Sequence, residues 1–341
     1  MTTIRTTLER KTTSNLAVQL ARFREIGIII FLFLIVAGAT AAQPRFLTPF
    51  NLRSILLWIP LITVVAMGEM MVLITRGIDV SIGSSMALAG IIVGMIFRDF
   101  PGFNIYLGTL LAILTGLVLG AINGALIAWI KIPPVITTLG TLSAYRGLTF
   151  IVSKGRQIDP NHVPRSLIAW SQKGPFEIGL VPWVVIIAVV VAIGMHLFLR
   201  YTKLGRDIFA IGGNQEAARL RGIPVEFTIF MVYAITGAMA GLAGILYASR
   251  FGFVNPGETG VGFELTVIAA VVIGGTNVFG GSGNVLGVVL GCLLLGTINV
   301  ALSILGIAAT WQLAVYGFVI LLAVVVDALI QRELRRASTG E

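Results

Sequence analysis

The strongest constraint on the fold of this chain is a series of ten apolar segments, each roughly 20 residues long. A helix of about 20 apolar residues crosses the ~30 Å hydrocarbon core of a bilayer. Inside that core the backbone must satisfy its own hydrogen bonds, so the segments are expected to be helices. The sequence therefore predicts an all-α polytopic membrane helix bundle with about ten transmembrane helices. The segments are 26–42, 54–75, 82–98, 105–130, 133–152, 179–200, 227–248, 263–280, 285–303 and 311–330.

The composition agrees with lipid as the solvent, because 57% of the residues are hydrophobic and only 11% are charged. The sequence "GGTNVFGGSGN" at 274–284 predicts a break between the eighth and ninth segments, either as irregular backbone facing protein or water or as a tight turn. The first segment resembles a signal-peptide core. Its preceding region is too long and contains Glu9 and Glu25, which favours an uncleaved span.

Lysine and arginine residues set the expected orientation, because cytoplasmic segments of membrane proteins are enriched in them. With the N-terminus inside, 15 of these residues fall in cytoplasmic segments and 8 in outer segments. This bias and the even number of spans predict an N-in/C-in topology. The expected organisation is a cytoplasmic tail at 1–25, a transmembrane domain at 26–330 with a cytoplasmic loop at 201–226, and a cytoplasmic tail at 331–341. The inside set is Arg5, Arg10, Lys11, Arg22, Arg24, Arg76, Lys131, Arg200, Lys203, Arg206, Arg219, Arg221, Arg332, Arg335 and Arg336. The outside set is Arg45, Arg53, Arg98, Lys154, Arg156, Arg165, Lys173 and Arg250.

Several classes of function are disfavoured by the sequence. The net charge of +9 arises from basic residues whose distribution along the chain matches that expected for membrane topology. No nucleic-acid partner is therefore expected. The single cysteine, Cys292, lies in an apolar run and cannot form a disulfide framework. No metalloprotease, nucleophile-elbow or Cys/His pattern is present in the sequence. The sequence therefore predicts no enzymatic activity, no metal site and no cofactor. No ATP-binding P-loop pattern occurs either.

Small residues recur at every fourth position in three of the apolar segments. Such stripes let two helix backbones approach closely in a membrane, which predicts tight helix packing. The stripes are Gly116, Gly120, Gly124 and Ala128; Gly237 with Gly241 and Ala240 with Gly244; and Gly283, Gly287 and Gly291.

The polar decamer "GNQEAARLRG" at 213–222 stands out between two apolar segments. Asn214 is a good N-cap, Gly222 suits the position after a helix end, and Pro224 prevents continuation. These signals predict a helix of about seven residues. A helix this short is marginal in water, so it is expected to dock on something. Its two adjacent alanines, Ala217 and Ala218, are expected to form a low-relief face, which could dock on a partner's groove or on the chain's own bundle or lipid headgroups.

Four separated motifs carry a resemblance to a known family. They are "TRGIDVSIGS" (75–84), "KIPPVITTLGTLSAYRGL" (131–148), "GRDIFAIGGNQEAARLRGI" (205–223) and "AAVVIGGTNVFGGSGNVLGVVLG" (269–291). The chain resembles the permease subunits of ATP-binding-cassette importers, in the branch for ribose, xylose, arabinose and autoinducer-2-like solutes.

The resemblance implies ten spans in the bacterial cytoplasmic membrane and three kinds of protein partner. These partners are a separate ATPase subunit, an extracytoplasmic solute-binding protein and a second permease subunit in a homo- or heterodimer. The helix in the decamer would be the coupling helix that fits a groove on the ATPase. The coupling residues implied in this way are Asn214, Glu216, Ala217, Ala218, Arg219 and Gly222.

Polar side chains at membrane depth are the remaining candidates for function. Glu69, Asp79 and Arg146 are the charged ones, and an ion pair between Arg146 and Glu69 is one expectation. A polyol solute would need amide and hydroxyl groups instead, although such groups more often bridge helices. The candidates for a translocation path are Asn123, Thr137, Thr138, Tyr145, Asn299 and Gln312.

Two functions from different classes follow from these observations. The first is the permease subunit of an ATP-driven importer for a monosaccharide or similar small polar solute, as the resemblance implies. The alternative is a stand-alone, ion-coupled secondary transporter that uses Glu69 and Asp79 as a proton relay. ATP-dependent uptake in vesicles separates the two.

Overall fold

The computed structural model of the protein describes residues 25–175 and 181–307, together with the single positions 311, 314, 317, 318, 321 and 325. Within these residues the fold consists of α-helices, one 3-10 turn at Pro44–Leu47 and one isolated antiparallel bridge between Ile158 and Val254. The helices are α1 Glu25–Ala42, α2 Pro49–Ile74, α3 Ile82–Asp99, α4 Ile105–Ala128, α5 Pro134–Ser153, α6 Arg165–Gln172, α7 Trp183–Tyr201, α8 Lys203–Gly213, α9 Gln215–Leu220, α10 Val225–Phe251, α11 Phe263–Ile273 and α12 Val285–Ile304.

The prediction of an all-helical membrane bundle is confirmed. Eight described helices (α1, α2, α3, α4, α5, α7, α10 and α12) are long and apolar enough to cross a membrane. The helix in the segment predicted at 263–280 is shorter than expected. Helix α11 has 11 residues and ends at Ile273, so at 1.5 Å per residue it covers about half of the hydrocarbon core. The predicted tenth span at 311–330 lies largely outside the described residues.

Helix α2 forms the centre of the bundle. Its residues from Leu61 to Ile74 are buried on every side, as expected for a helix that is apolar all round. It packs against α7, α10, α11 and α12, and Pro60 lies inside the helix without ending it. The residues that follow α2 are therefore anchored to the most buried of the candidate spans.

Helices α4 and α10 approach each other backbone to backbone, which confirms the packing predicted from their small residues. A Cβ atom on Gly237 would lie 2.7 Å from both the N and the Cα of Gly120 and would overlap the carbonyl oxygen of Gly116. Gly241 faces Ala112 and Gly116 in the same way. In α12, Gly287 and Gly291 provide a similar approach to α11.

The connections between helices gather at two ends of the bundle. One end, here called the α9 end, contains α8, α9, the turn 129–133 between α4 and α5, and the turn 274–284 before α12. Side-chain contacts join these pieces: Asn284 binds Glu25 at the start of α1 (2.6 Å), and Lys131 binds Glu226 at the start of α10 (2.7 Å). The opposite end contains α6 and the segment 252–262, which the Ile158–Val254 bridge joins to the end of α5.

Candidate functional site

Helix α9 is defined by a cap at each end, as its sequence predicts. Asn214 Oδ1 accepts a hydrogen bond from the Ala217 N–H (3.0 Å). At the other end Gly222 adopts φ +76°, and the N–H groups of Gly222 and Ile223 donate to the carbonyls of Arg219 and Ala218. This pattern is a Schellman motif, which stops the helix at Leu220 and turns the chain into α10. The helix has six residues, against about seven predicted.

The two faces of α9 have different roles. Ala218 is 3% exposed and packs in a small apolar cluster with Ile211 of α8 and Val225 of α10. Of the two alanines expected to form a low-relief face, Ala218 docks on the protein's own bundle and Ala217 is exposed. The opposite face presents Glu216, Ala217 and Leu220, and the Leu220 side chain is 91% exposed. A fully exposed leucine on a polar helix is an available contact point.

Helix α8, which was not predicted from the sequence, positions α9. The Thr202 hydroxyl caps its start by accepting from the Gly205 N–H (3.0 Å). Ile208 and Ile211 are buried against the bundle. The sequence did contain a signal for this helix, because the N-cap residue Thr202 is followed by apolar residues at helical spacing. The two glycines at the end of α8 lead directly into Asn214.

Ion pairs hold the start of α10 to α9 and to the turn before α5. Glu226 Oε1 accepts from Lys131 Nζ (2.7 Å) and from Arg219 Nη2 (2.6 Å), and Arg219 also lies 3.5 Å from Glu216. Arg219, predicted as a coupling residue, thus orients α9. All these side chains are at least one-third exposed, so the pairs contribute about 0–1 kcal/mol each.

A cavity of about 550 Å³ opens at the end of α8, just before α9 begins. Its lining comes from Arg76 after α2, from Gly212 and Gly213 at the end of α8, and from the turn 277–280. Phe279 in that turn is more than half exposed. Because these segments are far apart in the chain, nothing in the sequence indicated that they meet.

A second group of functional candidates is a chain of buried polar side chains that starts in α2. Glu69 Oε1 accepts from the Asp79 N–H (3.1 Å), and Asp79 Oδ1 accepts from the Ser81 N–H (2.8 Å) and hydroxyl (2.6 Å). Asn123 of α4 donates to the Ser81 hydroxyl (2.8 Å). Tyr145 of α5 donates to the Leu119 carbonyl (2.9 Å) and lies 3.3 Å from Asn123 Oδ1. We call these five side chains, Glu69, Asp79, Ser81, Asn123 and Tyr145, the polar cluster.

The polar cluster contains two carboxyl groups and no cationic partner in the described part of the chain. Glu69 is 0% exposed, and its Oε2 has no hydrogen-bond partner there. A buried carboxyl group without a cationic partner is costly, and such a group at membrane depth is a candidate for function.

Three of the residues predicted for a translocation path meet in or next to the polar cluster. Asn123 and Tyr145 belong to it, and Thr138 donates to the Ile78 carbonyl beside it (3.2 Å). Thr137 instead donates to the Pro133 carbonyl of its own helix, and Asn299 is half-buried on α12. Gln312 lies outside the described residues. Since the first three are buried and bonded within the protein, their placement fits a helix-bridging role.

The ion pair expected between Arg146 and Glu69 is wrong. Arg146 Nη1 donates to the carbonyls of Pro256 (3.0 Å) and Thr259 (2.8 Å), which ties α5 to the segment 252–262 at the opposite end. Glu69 lies in the polar cluster instead. Spacing along a sequence cannot show which end of a bundle a side chain faces.

Comparison with known proteins decides what kind of bundle this is. Residues 51–324 match the model of the family described as branched-chain amino acid transport system / permease component. The chain belongs to this permease family. The match covers α2 to α12, and so includes α8, α9 and the whole polar cluster.

This permease has similar relatives along most of its length. It is 37% identical over 281 residues to the autoinducer 2 import system permease protein LsrC of Photorhabdus luminescens, which covers 82% of each chain. It is 36% identical over 308 residues to the D-allose transport system permease protein AlsC of Escherichia coli K12, covering 90% of this chain and 92% of the relative. No solved structure matches it. The permease is a multi-pass protein of the bacterial cytoplasmic membrane.

Proposed function

We propose that this permease is the membrane subunit of an ATP-driven importer for a monosaccharide or a similar small polar solute. The observation that carries the proposal is α9, a short helix capped at both ends, held on the bundle by one face and exposing Leu220 on the other. The names of the relatives, an autoinducer 2 importer and a D-allose transporter, support the class of solute. The family supports a transport role without catalysis on this chain.

The proposed topology has ten spans, with both termini and the α9 end in the cytoplasm. The excess of lysine and arginine in the tails and in the loop 201–226 supports this orientation. The described helices agree with it, because the turn after α2, the turn 129–133 and the connection from α7 to α10 all lie at one end. A substrate-binding protein would then dock at the opposite end, near α6.

Three partners follow from the proposal. A separate ATPase subunit contacts the α9 end, since no P-loop sequence occurs on this chain. An extracytoplasmic solute-binding protein delivers the solute, and a second permease subunit completes the membrane dimer. The ATPase drives transport only if its nucleotide states bind two packings of the bundle differently. The residues proposed for this coupling remain Asn214, Glu216, Ala217, Ala218, Arg219 and Gly222, to which Leu220 is added.

Co-purification from bacterial membranes, followed by uptake measurements in proteoliposomes, tests the proposal. We expect an ATPase subunit to purify with the permease. Uptake of radiolabelled D-allose, or of another monosaccharide in a panel, should require ATP and the binding protein. Accumulation of solute by the permease alone, driven by an ion gradient, would show instead a secondary transporter.

Replacing Leu220 should weaken the contact with the ATPase without unfolding the permease. Leu220 makes little contact with its own bundle, and loss of a central apolar anchor typically costs an interface about 2 kcal/mol, or about thirtyfold in affinity. We expect Leu220→Ser to lower ATPase binding by that factor in a titration of purified subunits. Val261→Ser, at an exposed aliphatic side chain of the opposite end, is the matched control and should bind normally. If the two variants bind the ATPase equally well, Leu220 is not part of the interface.

The two buried acids distinguish the importer from the secondary transporter. Glutamine can replace Glu69 as the acceptor for the Asp79 N–H, so Glu69→Gln should leave ATP-driven uptake within about twofold of wild type. Glu69→Ala leaves that N–H unsatisfied and should lower the free energy of unfolding by about 1–3 kcal/mol. Uptake and thermal unfolding are measured on the same preparations. If Glu69 belongs to a proton relay, Glu69→Gln should instead give a folded protein that does not transport solute.

A further inference from the structure

The chain leaves α2 through a residue in an unusual conformation. Arg76 has φ +67°, and the N–H groups of Arg76 and Gly77 donate to the carbonyls of Leu73 and Val72 (2.9 Å each). Arg76 therefore occupies the left-handed position of a Schellman motif, which glycine adopts at no steric cost. An arginine at this position carries a backbone cost, which contacts of its side chain can offset.

The Arg76 side chain reaches the elbow between α8 and α9. Its Nε donates to the Gly212 carbonyl (2.8 Å) and its Nη2 to the Gly213 carbonyl (2.7 Å). These carbonyls belong to the last turn of α8, where helical partners are missing and a cation is favoured. Two charge-assisted bonds from a planar guanidinium fix both distance and orientation. Asn214, the N-cap of α9, is the next residue in the chain.

The backbone at Gly212 is closely packed, although the cavity opens beside it. A Cβ on Gly212 would overlap the Ile74 carbonyl oxygen and lie 2.6 Å from the N atom of Gly281. The Gly281 N–H in turn donates to the Ile74 carbonyl (2.9 Å). The end of α2, the end of α8 and the turn 274–284 thus meet as one junction, which transmits displacement because close-packed groups cannot move independently.

The chain segment that starts at Arg76 leads into the polar cluster. Only three residues along, the Asp79 N–H binds Glu69, and the Asp79 carboxylate accepts from Ser81. Ser81 connects through Asn123 and Tyr145 to α4 and α5. A movement of Arg76 therefore acts on side chains from three separate spans.

We propose that Arg76 is the positioning residue that transmits movement of α9 to the polar cluster in the membrane. The inference rests on the proposed function, because it assumes an ATPase that displaces α9. A second side-chain connection near α9 is the Arg219–Glu226–Lys131 set, which ties α9 to the start of α10 and to the turn before α5 and does not reach the polar cluster. Arg76 is likewise exposed and its hydrogen bonds are of similar length, but it bonds to backbone carbonyls at the closely packed end of α8, and the segment that follows it leads directly into the core.

Hydrogen exchange of the complex in lipid nanodiscs tests this inference without knowledge of the solute. The peptide 77–84 contains the N–H groups of Asp79 and Ser81 and reports on the polar cluster, while the peptide 215–222 reports on α9. In wild type, trapping the ATPase with ATP and vanadate should change exchange in both peptides by about fivefold or more. In Arg76→Gln the change at 215–222 should persist, and the change at 77–84 should fall below about twofold.

Two further variants separate transmission from folding. Arg76→Gly relieves the left-handed backbone and should fold at least as well as wild type, yet lose the response at 77–84. Arg206→Gln is the matched control and should respond as wild type does, since Arg206 lies on α8 and its Nη1 donates, among the described residues, to the nearby Tyr201 carbonyl. A preserved response at 77–84 in both Arg76 variants overturns the inference, as does the lack of any response there in wild type. Failure of an ATPase to purify with the wild-type chain overturns the proposed function instead.

Discussion

Replacing Gly237 by alanine should lower the free energy of unfolding by about 3 kcal/mol, the upper part of the usual range for inserting a methyl group into a packed interior. The added Cβ would overlap the Gly116 carbonyl oxygen and lie 2.7 Å from the N and Cα of Gly120. Every one of these atoms is backbone, so no side chain can rotate away. Helices α4 and α10 would have to separate along their whole contact, and van der Waals packing is the main force that joins helices in lipid.

The matched control for this change is Gly194→Ala in α7. Gly194 is also a helical glycine in a candidate span, but a Cβ there meets nothing within 4 Å. Alanine is favoured over glycine inside a helix by about 0.5–1 kcal/mol, so this variant should be slightly more stable than wild type. Both are measured by thermal unfolding of purified permease in the same detergent. Similar shifts for the two variants would contradict the close approach of α4 and α10.

Replacing Gly222 by valine should separate ATP hydrolysis from solute uptake while the permease stays folded. Gly222 has φ +76°, a conformation that β-branched residues avoid at a cost of about 1–2 kcal/mol. The end of α9 would unwind or continue, which changes the direction in which Leu220 points. We expect uptake per ATP hydrolysed to fall about tenfold, within the usual range of coupling energies.

Gly155→Val is the control for the backbone cost of that change. Gly155 also has a positive φ of +68°, follows a helix end at Ser153 and Lys154, and has open space around its Cβ position, but it lies at the opposite end of the bundle. Its variant should lose a similar amount of stability and retain wild-type coupling. Proteoliposomes with the reconstituted ATPase give both readings. If Gly222→Val couples normally, α9 is not the element that the ATPase moves.

The spans could be predicted from the sequence because a bilayer fixes the length of an apolar helix. The same logic failed at 263–280, where the hydropathy continues but the helix ends at Ile273. The glycines that follow, from Gly274 onwards, let backbone pack against α12 and against the junction with α8. Hydropathy reports the surroundings of a residue and does not distinguish helix from irregular backbone that is buried in protein.

The ends of α9 could also be predicted, because caps are local. Asn214 and Gly222 act on N–H and carbonyl groups within a few residues of themselves. Which alanine faces the bundle was not predictable, since Ala217 and Ala218 are equivalent as helix formers. That choice was made by Ile211 and Val225, which approach from neighbouring helices.

The sequence by itself determined that this chain forms apolar helices, where most of them begin and end, and which family it joins, because length, caps and motifs are properties of continuous segments. Only the tertiary structure decided which polar groups meet. It placed Glu69 with Asp79 instead of Arg146, and it brought Arg76 to the carbonyls of Gly212 and Gly213. Long-range partners such as these are fixed by how helices pack side by side, and the linear order of residues does not contain that geometry in any local form.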